Sequence, residues 1–179
     1  ETMTVVAGCG GGDAIRGVLP RLLTRAQGLV LDADALNAIA ADPQLQSLLQ
    51  ARGRRGQPTI LTPHPLEAAR LEGTDAARVQ AHRIAAARAI TERFACVTVL
   101  KGSGTIVTAP GRVPSINFTG NPRLATAGTG DVLAGMVGAR LAHGQEPFEA
   151  ACAAVHAHGA AADAWPENQS LVASALARA

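Results

Sequence analysis

A chain of 179 residues with 16 Lys and Arg against 14 Asp and Glu, a formal charge of +2, suits one domain with a sizeable core and lacks the basic excess of a nucleic-acid tract. Three Phe, one Trp and no Tyr leave no stacking platform for single strands, so the core must be Ala, Leu, Val and Ile. The 3 cysteines are odd in number and far apart, against a disulfide framework or zinc site and in keeping with a reducing cytosol, and no apolar run approaches the ~20 residues that span a bilayer.

Glu1-Thr-Met-Thr-Val-Val-Ala-Gly8 reads as chain already inside a strand, without an initiator methionine at position 1, so a fragment is expected. Thr4 to Ala7 is an apolar strand. Gly8-Cys-Gly-Gly-Gly-Asp13 follows as a glycine loop, suited either to a plain strand-to-helix turn or to a phosphate, and a helix is expected from about Ala14 to Arg25. Gly28 to Leu31 is a short buried strand ending on Asp32-Ala-Asp34. Ligands of open α/β sheets sit at the carboxyl ends of strands, which makes Asp32 a functional candidate. Asp34 is the expected N-cap of the helix carrying Leu36, Ile39 and Ala40. Asp42-Pro43 restarts a helix with Leu45, Leu48 and Leu49 inward, and Arg52, Arg54 and Arg55 are expected in a solvated connection.

Thr59 to Leu61 is the next strand. In Thr62-Pro-His64-Pro-Leu-Glu67 two prolines hold the chain extended before a helix begins near Pro65, and His64 between them is a candidate ligand contact. Asp75 to Phe94 is amphipathic, with Val79, Ile84, Ala87 and Ile90 towards the sheet and Arg78, Arg83, Arg88 and Glu92 in water. Cys96 to Leu100 and Thr105 to Thr108 read as strands around Lys101-Gly-Ser-Gly104, either an ordinary hairpin turn or a lysine with open amides for phosphate. Val113 to Phe118 is a further strand.

Asn121-Pro122 opens a loop, and Gly128-Thr129-Gly130 leads into a helix expected from Thr129 to His143 on the spacing of Leu133, Met136, Val137 and Leu141. Its first-turn amides and dipole favour an anion. Asp131 in that turn is either a helix-start preference or a base placed beside a phosphoryl group. Gly135 and Gly138 imply close approach, so this helix is expected to be buried on both sides. Glu146-Pro147 starts an alanine-rich helix to about Trp165, whose His156 and His158 lack the spacing of a metal pair and read as structural. Ser170 to Ala179 is a short terminal helix.

Asn121-Pro-x-x-Ala-Thr-x-Gly-Thr-Gly-Asp131-Val-Leu-x-Gly135 resembles the signature of the ADP/ATP-dependent NAD(P)H-hydrate dehydratases of the ribokinase-like superfamily. Val30 to Asn37, Thr62 to Glu67 and Leu100 to Thr105 resemble further family segments in the same order, although Cys9, Gly11 and Leu66 depart from its pattern. The resemblance implies one ribokinase-like α/β domain over residues 1–179, lacking an N-terminal strand and helix, with a mainly parallel central sheet flanked by helices. The antiparallel portion is expected near residues 96–118.

The resemblance also implies roles. Asp131 is the catalytic base; His64, Asp32, Asn121 and Asp131 meet the substrate; Lys101, Gly102, Ser103, Gly104, Thr105, Gly128, Thr129 and Gly130 hold the nucleotide; Glu67 helps indirectly to arrange Mg²⁺. The expected activity is ADP- or ATP-driven dehydration of hydrated NADH and NADPH. A kinase of a small alcohol or vitamin precursor, or a nucleotide-binding module without turnover, are the alternatives. A cytoplasmic protein acting on small molecules, with neither nucleic acid nor membrane as partner and with a tendency to form homo-oligomers, completes the expectation.

Overall fold

The computed structural model describes residues 3–179, so the expected strand character of Glu1 and Thr2 lies outside the described residues. Six strands form one sheet in sequence order: β1 (Thr4–Ala7), β2 (Gly28–Leu31), β3 (Thr59–Leu61), β4 (Val97–Leu100), β5 (Ile106–Thr108) and β6 (Ser115–Ile116). β1 to β4 run parallel, each following its neighbour in register (Val5 beside Leu29, Val30 beside Ile60), and β4, β5 and β6 pair antiparallel. Parallel neighbours need crossover helices, which cover both faces of the sheet and bury its strands on both sides.

That double burial is visible residue by residue. Leu29, Leu31 and Leu61 point to one face, where α1 (Ile15–Arg25), α2 (Ala33–Ala41), α3 (Pro43–Arg54), α4 (Pro65–Glu72), α5 (Ala76–Ala81) and α6 (Arg83–Phe94) contribute Leu19, Leu36, Ile39, Leu49, Leu71, Ile90 and Phe94. Val30, Ile60 and Val99 point to the other, against Leu133, Val137 and Leu141 of α7 (Thr129–Ala142) and Phe148 and Val155 of α8 (Pro147–Asp163). The period of two along each strand thus divides the core into two layers.

Local signals fix most helix starts. Asp42 accepts from the amides of Gln44 and Leu45, and Glu146 from those of Phe148 and Glu149, each just before a proline at the first helical position.

Several expectations need correction. Asp32, not Asp34, caps α2, and the Asp34 carboxylate instead accepts from the amide of Gly12 at 2.8 Å. Asp75 to Phe94 is two helices broken at His82, which leaves Ile84 exposed. Arg52 is wholly buried inside α3. Its guanidinium donates to the carbonyls of Ala26 (2.5 Å), Gln27 (3.0 Å) and Pro58 (3.1 Å) and to Thr59 Oγ1 (2.7 Å). In α7, Gly138 packs against Val6 and Val30, whereas Gly135 faces solvent, so only one side of that helix is buried. The expected strand over Val113 to Phe118 shortens to the two residues of β6, and the terminal helix is α9 (Ala173–Leu176).

Candidate active site

The carboxyl ends of β1 to β4 deliver Cys9, Asp32, His64 and Lys101 to one edge of the sheet, because parallel strands all end on the same side. Gly8, at φ +113, lets β1 turn there: a side chain would run into the Asp32 carbonyl and Ala35. Asp32 is 1% exposed, and its Oδ1 takes both the Ala33 amide (2.8 Å) and Lys101 Nζ (2.6 Å). Ala33, locked between cap and helix, holds a left-handed φ of +46, a conformation costing about 1 kcal/mol or more that only a constraining neighbourhood maintains.

His64 caps α4. Its Nδ1 accepts from the amides of Leu66 (3.1 Å) and Glu67 (3.4 Å), while Glu67 Oε2 accepts from the His64 amide at 2.8 Å, a reciprocal capping box in which His replaces the usual Ser or Thr. With Nδ1 so engaged, the neutral ring carries its proton on Nε2, 3.2 Å from Glu67 Oε1. Glu67 is buried, 4.0 Å from Lys101 Nζ. Burial pushes its carboxyl above the ordinary range, and the His64 amide and Lys101 draw it part of the way back.

Lys101 thus ties three strand ends together from a tight turn. Arg83 supports the turn from behind by donating to the carbonyls of Leu100, Lys101 and Gly104, and Thr105 Oγ1 closes it on the Gly102 carbonyl at 2.9 Å. Opposite lies the start of α7. Its N-cap, Gly128, has φ +85 and no side chain, so the first-turn amides have no side-chain cap. Thr129 is turned inward, its hydroxyl donating to Leu124 and Thr126, and its carbonyl meets Nε2 of buried His158 at 2.9 Å. A Cβ added to Gly130 would sit 3.4 Å from Lys101 Nζ, which brings the lysine and the helix start to one spot.

Asp131, exposed at that start, completes a group with Asp32 and Cys9 whose ligand atoms all lie within 4.8 Å of one another. Burial and the two carboxylates push the Cys9 thiol up to about 12, so it stays protonated. Asp32, Asp131, Lys101, Gly130 and the His64–Glu67 pair therefore share one site. Asn121 is used within the fold: Oδ1 accepts from the Arg123 amide, and Nδ2 donates to the Ala162 carbonyl and Asp163.

Two residues of the site carried no role in the sequence reading. Cys9 had a legible signal, a thiol in the glycine loop after a strand. Arg83 had none, since nothing in an amphipathic stretch marks the arginine that will fold back onto a turn.

A cleft neighbours the Lys101 turn through one backbone bond. The Asn117 amide donates to the Thr105 carbonyl at 2.9 Å, and the cleft, of about 340 Å³, opens between Val107, Ser115, Phe118, Cys152, Val155 and His156.

A lysine, glycine-opened helix amides and an adjacent carboxylate at the carboxyl edge of a parallel sheet are groups that can support phosphoryl transfer, and a family model described as NAD(P)H-hydrate dehydratase matches residues 2–179. The chain belongs to that family. It is 49% identical over 176 residues to the ADP-dependent (S)-NAD(P)H-hydrate dehydratase of Neisseria meningitidis serogroup B, covering 96% of this chain and 58% of that relative's length. Among solved structures, the ADP/ATP-dependent NAD(P)H-hydrate dehydratase of Bacillus subtilis, co-crystallised with ATP/Mg²⁺ and soaked with CoA, superposes with a TM-score of 0.80 at 31% identity. The match covers 98% of this chain and 63% of that one. A ribokinase-like superfamily protein of Enterococcus faecalis, 23% identical, shares the fold with a TM-score of 0.77 over 98% of this chain and 60% of its own.

Proposed function

We propose that this chain acts as a single ribokinase-like NAD(P)H-hydrate dehydratase domain over residues 1–179, using ADP or ATP to return hydrated NADH and NADPH to their active forms. The observation that carries this reading is the placement of Asp131 and the uncapped start of α7 against Lys101. Asp131 takes the proton of the ring hydroxyl as its oxygen attacks the terminal phosphorus of the nucleotide, whose bridging oxygen leaves. The phosphate ester then breaks at its carbon–oxygen bond, pushed by the ring nitrogen's electron pair, and loss of a proton from the neighbouring ring carbon restores the double bond. Hydroxide, a poor leaving group, has been exchanged for phosphate.

Lys101 and the amides of Gly128 to Gly130 oppose the negative charge of the phosphates, with Gly102 to Thr105 shaping the turn that presents the lysine. His64 and Asp32 line the substrate side, and Asn121 acts through the loop it holds. The Asp32 and Asp131 carboxylates, whose oxygens lie within 4.8 Å of each other, are hard oxygen donors that would hold Mg²⁺, with Glu67 assisting indirectly through Lys101. When bound, Mg²⁺ would neutralise charge on the phosphates. The cleft at Val107 and Val155, beside Thr105, is where the base of the nucleotide would lie.

Among the described residues no helix is long and apolar enough to cross a membrane. The three free cysteines suit the cytoplasm.

Asp131→Asn should retain ADP and ATP binding and lower dehydration at least about a hundredfold, the scale of a lost general base. Following restored NADH by its absorbance, with nucleotide titration alongside, checks both; near-normal turnover removes Asp131 from its role. A stable phosphate ester in place of NADH would favour the small-alcohol kinase instead.

A further inference from the structure

We infer that Phe118 is the stacking face on which this chain holds the base of its nucleotide, a binding residue additional to the phosphate-side groups. The inference rests on the nucleotide-dependent reading above and deepens it. Of the three Phe, Phe94 and Phe148 are buried and Phe118 is 91% exposed.

An isolated apolar residue on a surface means little by itself. Val113, 85% exposed beyond the Gly111 turn and off the cleft, is such a case. Phe118 differs in two respects. It lines a cleft beside the Lys101 turn, since the preceding residue Asn117 bonds its amide to the Thr105 carbonyl, and the segment carrying it is tied down on both sides.

Asn117 Nδ2 donates to the Thr119 carbonyl at 2.9 Å and Thr119 Oγ1 to Asn117 Oδ1 at 3.0 Å, so the flanking side chains close a ring around Phe118. Thr119 Oγ1 also reaches the His156 carbonyl at 2.9 Å, and the Gly120 amide reaches Asp163 at 2.7 Å. Gly159 makes this seating possible, because any side chain there would strike Thr119. Thr119 and Gly120 are thus tied to α8 and Asn117 to Thr119 and Thr105, while the one aromatic ring of the segment is held out at the cleft. A rigidly presented ring loses little conformational entropy on binding, and each base offers a π-face to stack on it.

The opposite wall, Val155 and Cys152, is apolar with exposed His156 beside it, so a flat heterocycle entering the cleft has apolar contact on two sides. Such contact reads flatness and not edge pattern. Phe118 therefore strengthens binding of adenine and guanine nucleotides alike.

The test is calorimetric titration of the chain and of its Phe118→Ala and Phe118→Trp variants with ATP, ADP, GTP and inorganic tripolyphosphate. Phe118→Ala should weaken all three nucleotides roughly tenfold or more and leave tripolyphosphate unchanged, and Phe118→Trp should restore nucleotide affinity. Unchanged ATP affinity in Phe118→Ala overturns the inference, as does an equal loss for tripolyphosphate, which would mean that the ring props the phosphate turn. Nucleotide binding that depends on Phe118 without dehydration would sink the proposed reaction and leave this inference standing. Failure of the unsubstituted chain to bind any nucleotide overturns both.

Discussion

His158 shows how one side chain can serve the site without touching a ligand. Its Nε2–H donates to the Thr129 carbonyl, anchoring the first turn of α7 to α8, and burial lowers its pKa below the usual 6.5, with the backbone bond only partly opposing. A histidine depressed in this way is neutral in the fold and takes up its proton more readily once unfolded. Its contribution to stability is therefore present above about pH 6.5 and is lost as the pH falls towards the lower folded value. Denaturant unfolding at pH 7.5 and 5.5 should show the unsubstituted chain losing more stability on acidification than His158→Gln, in which the titrating group is absent. Equal losses would mean that His158 titrates as it would in water.

Among the elements, α7 is where sequence and structure can be compared most closely. Its start was legible because Gly128-Thr-Gly-Asp131 combines a turn with a first-turn acid, and its apolar spacing placed Leu133, Val137 and Leu141 in the core, where they lie. Its two interior glycines look equivalent in sequence, and only the packing separates them. A methyl at Gly138 would fall inside the radius of Val6 Cγ2 on the edge strand, whereas one at Gly135 would meet nothing. Gly138→Ala should therefore destabilise the chain by about 1–3 kcal/mol, the scale of overpacking. Gly135→Ala should stabilise it by roughly 0.5–1 kcal/mol, since a solvent-facing helical glycine only costs backbone entropy. Urea midpoints measure both, and a matched pair of shifts would mean that β1 yields to α7.

The same limit on legibility recurs in other elements. Caps and prolines marked the starts of α3, α4 and α8, because those signals act within four residues. The break at His82 was hidden, since the apolar pattern runs on through it. Asp34 was the expected cap and Asp32 the functional candidate, and in the fold Asp32 does both, capping α2 while pairing with Lys101, 69 residues later in the chain.

At the scale of the whole molecule, the site exists because parallel strands end together. Each strand end carried a legible polar residue, but that Asp32 and Lys101 would lie 2.6 Å apart is a property of strand order. Arg52 is the part of that order least visible from composition, where it reads as one member of a solvated basic cluster. Placed inside α3, it satisfies carbonyls at the entrance of β2 (Ala26, Gln27), the carbonyl of Pro58 and the hydroxyl of Thr59 at the entrance of β3. Burial pulls its pKa down to about 10, and with no carboxylate paired to it among the described residues, the carbonyls, the Thr59 hydroxyl and the Gln57 amide oxygen stabilise the charge. Removing the guanidinium strands those acceptors without a donor. Arg52→Met should thus cost on the order of 3–5 kcal/mol. Its exposed neighbour in the same helix, Arg54→Met, should change stability by less than about 0.5 kcal/mol. Because β2 and β3 lead to Asp32 and His64, a partly folded Arg52→Met chain should also lose nucleotide affinity in step with its unfolded fraction. Denaturation curves for the two variants decide it, and a common midpoint would show that the interior cation holds nothing that the surface cation does not.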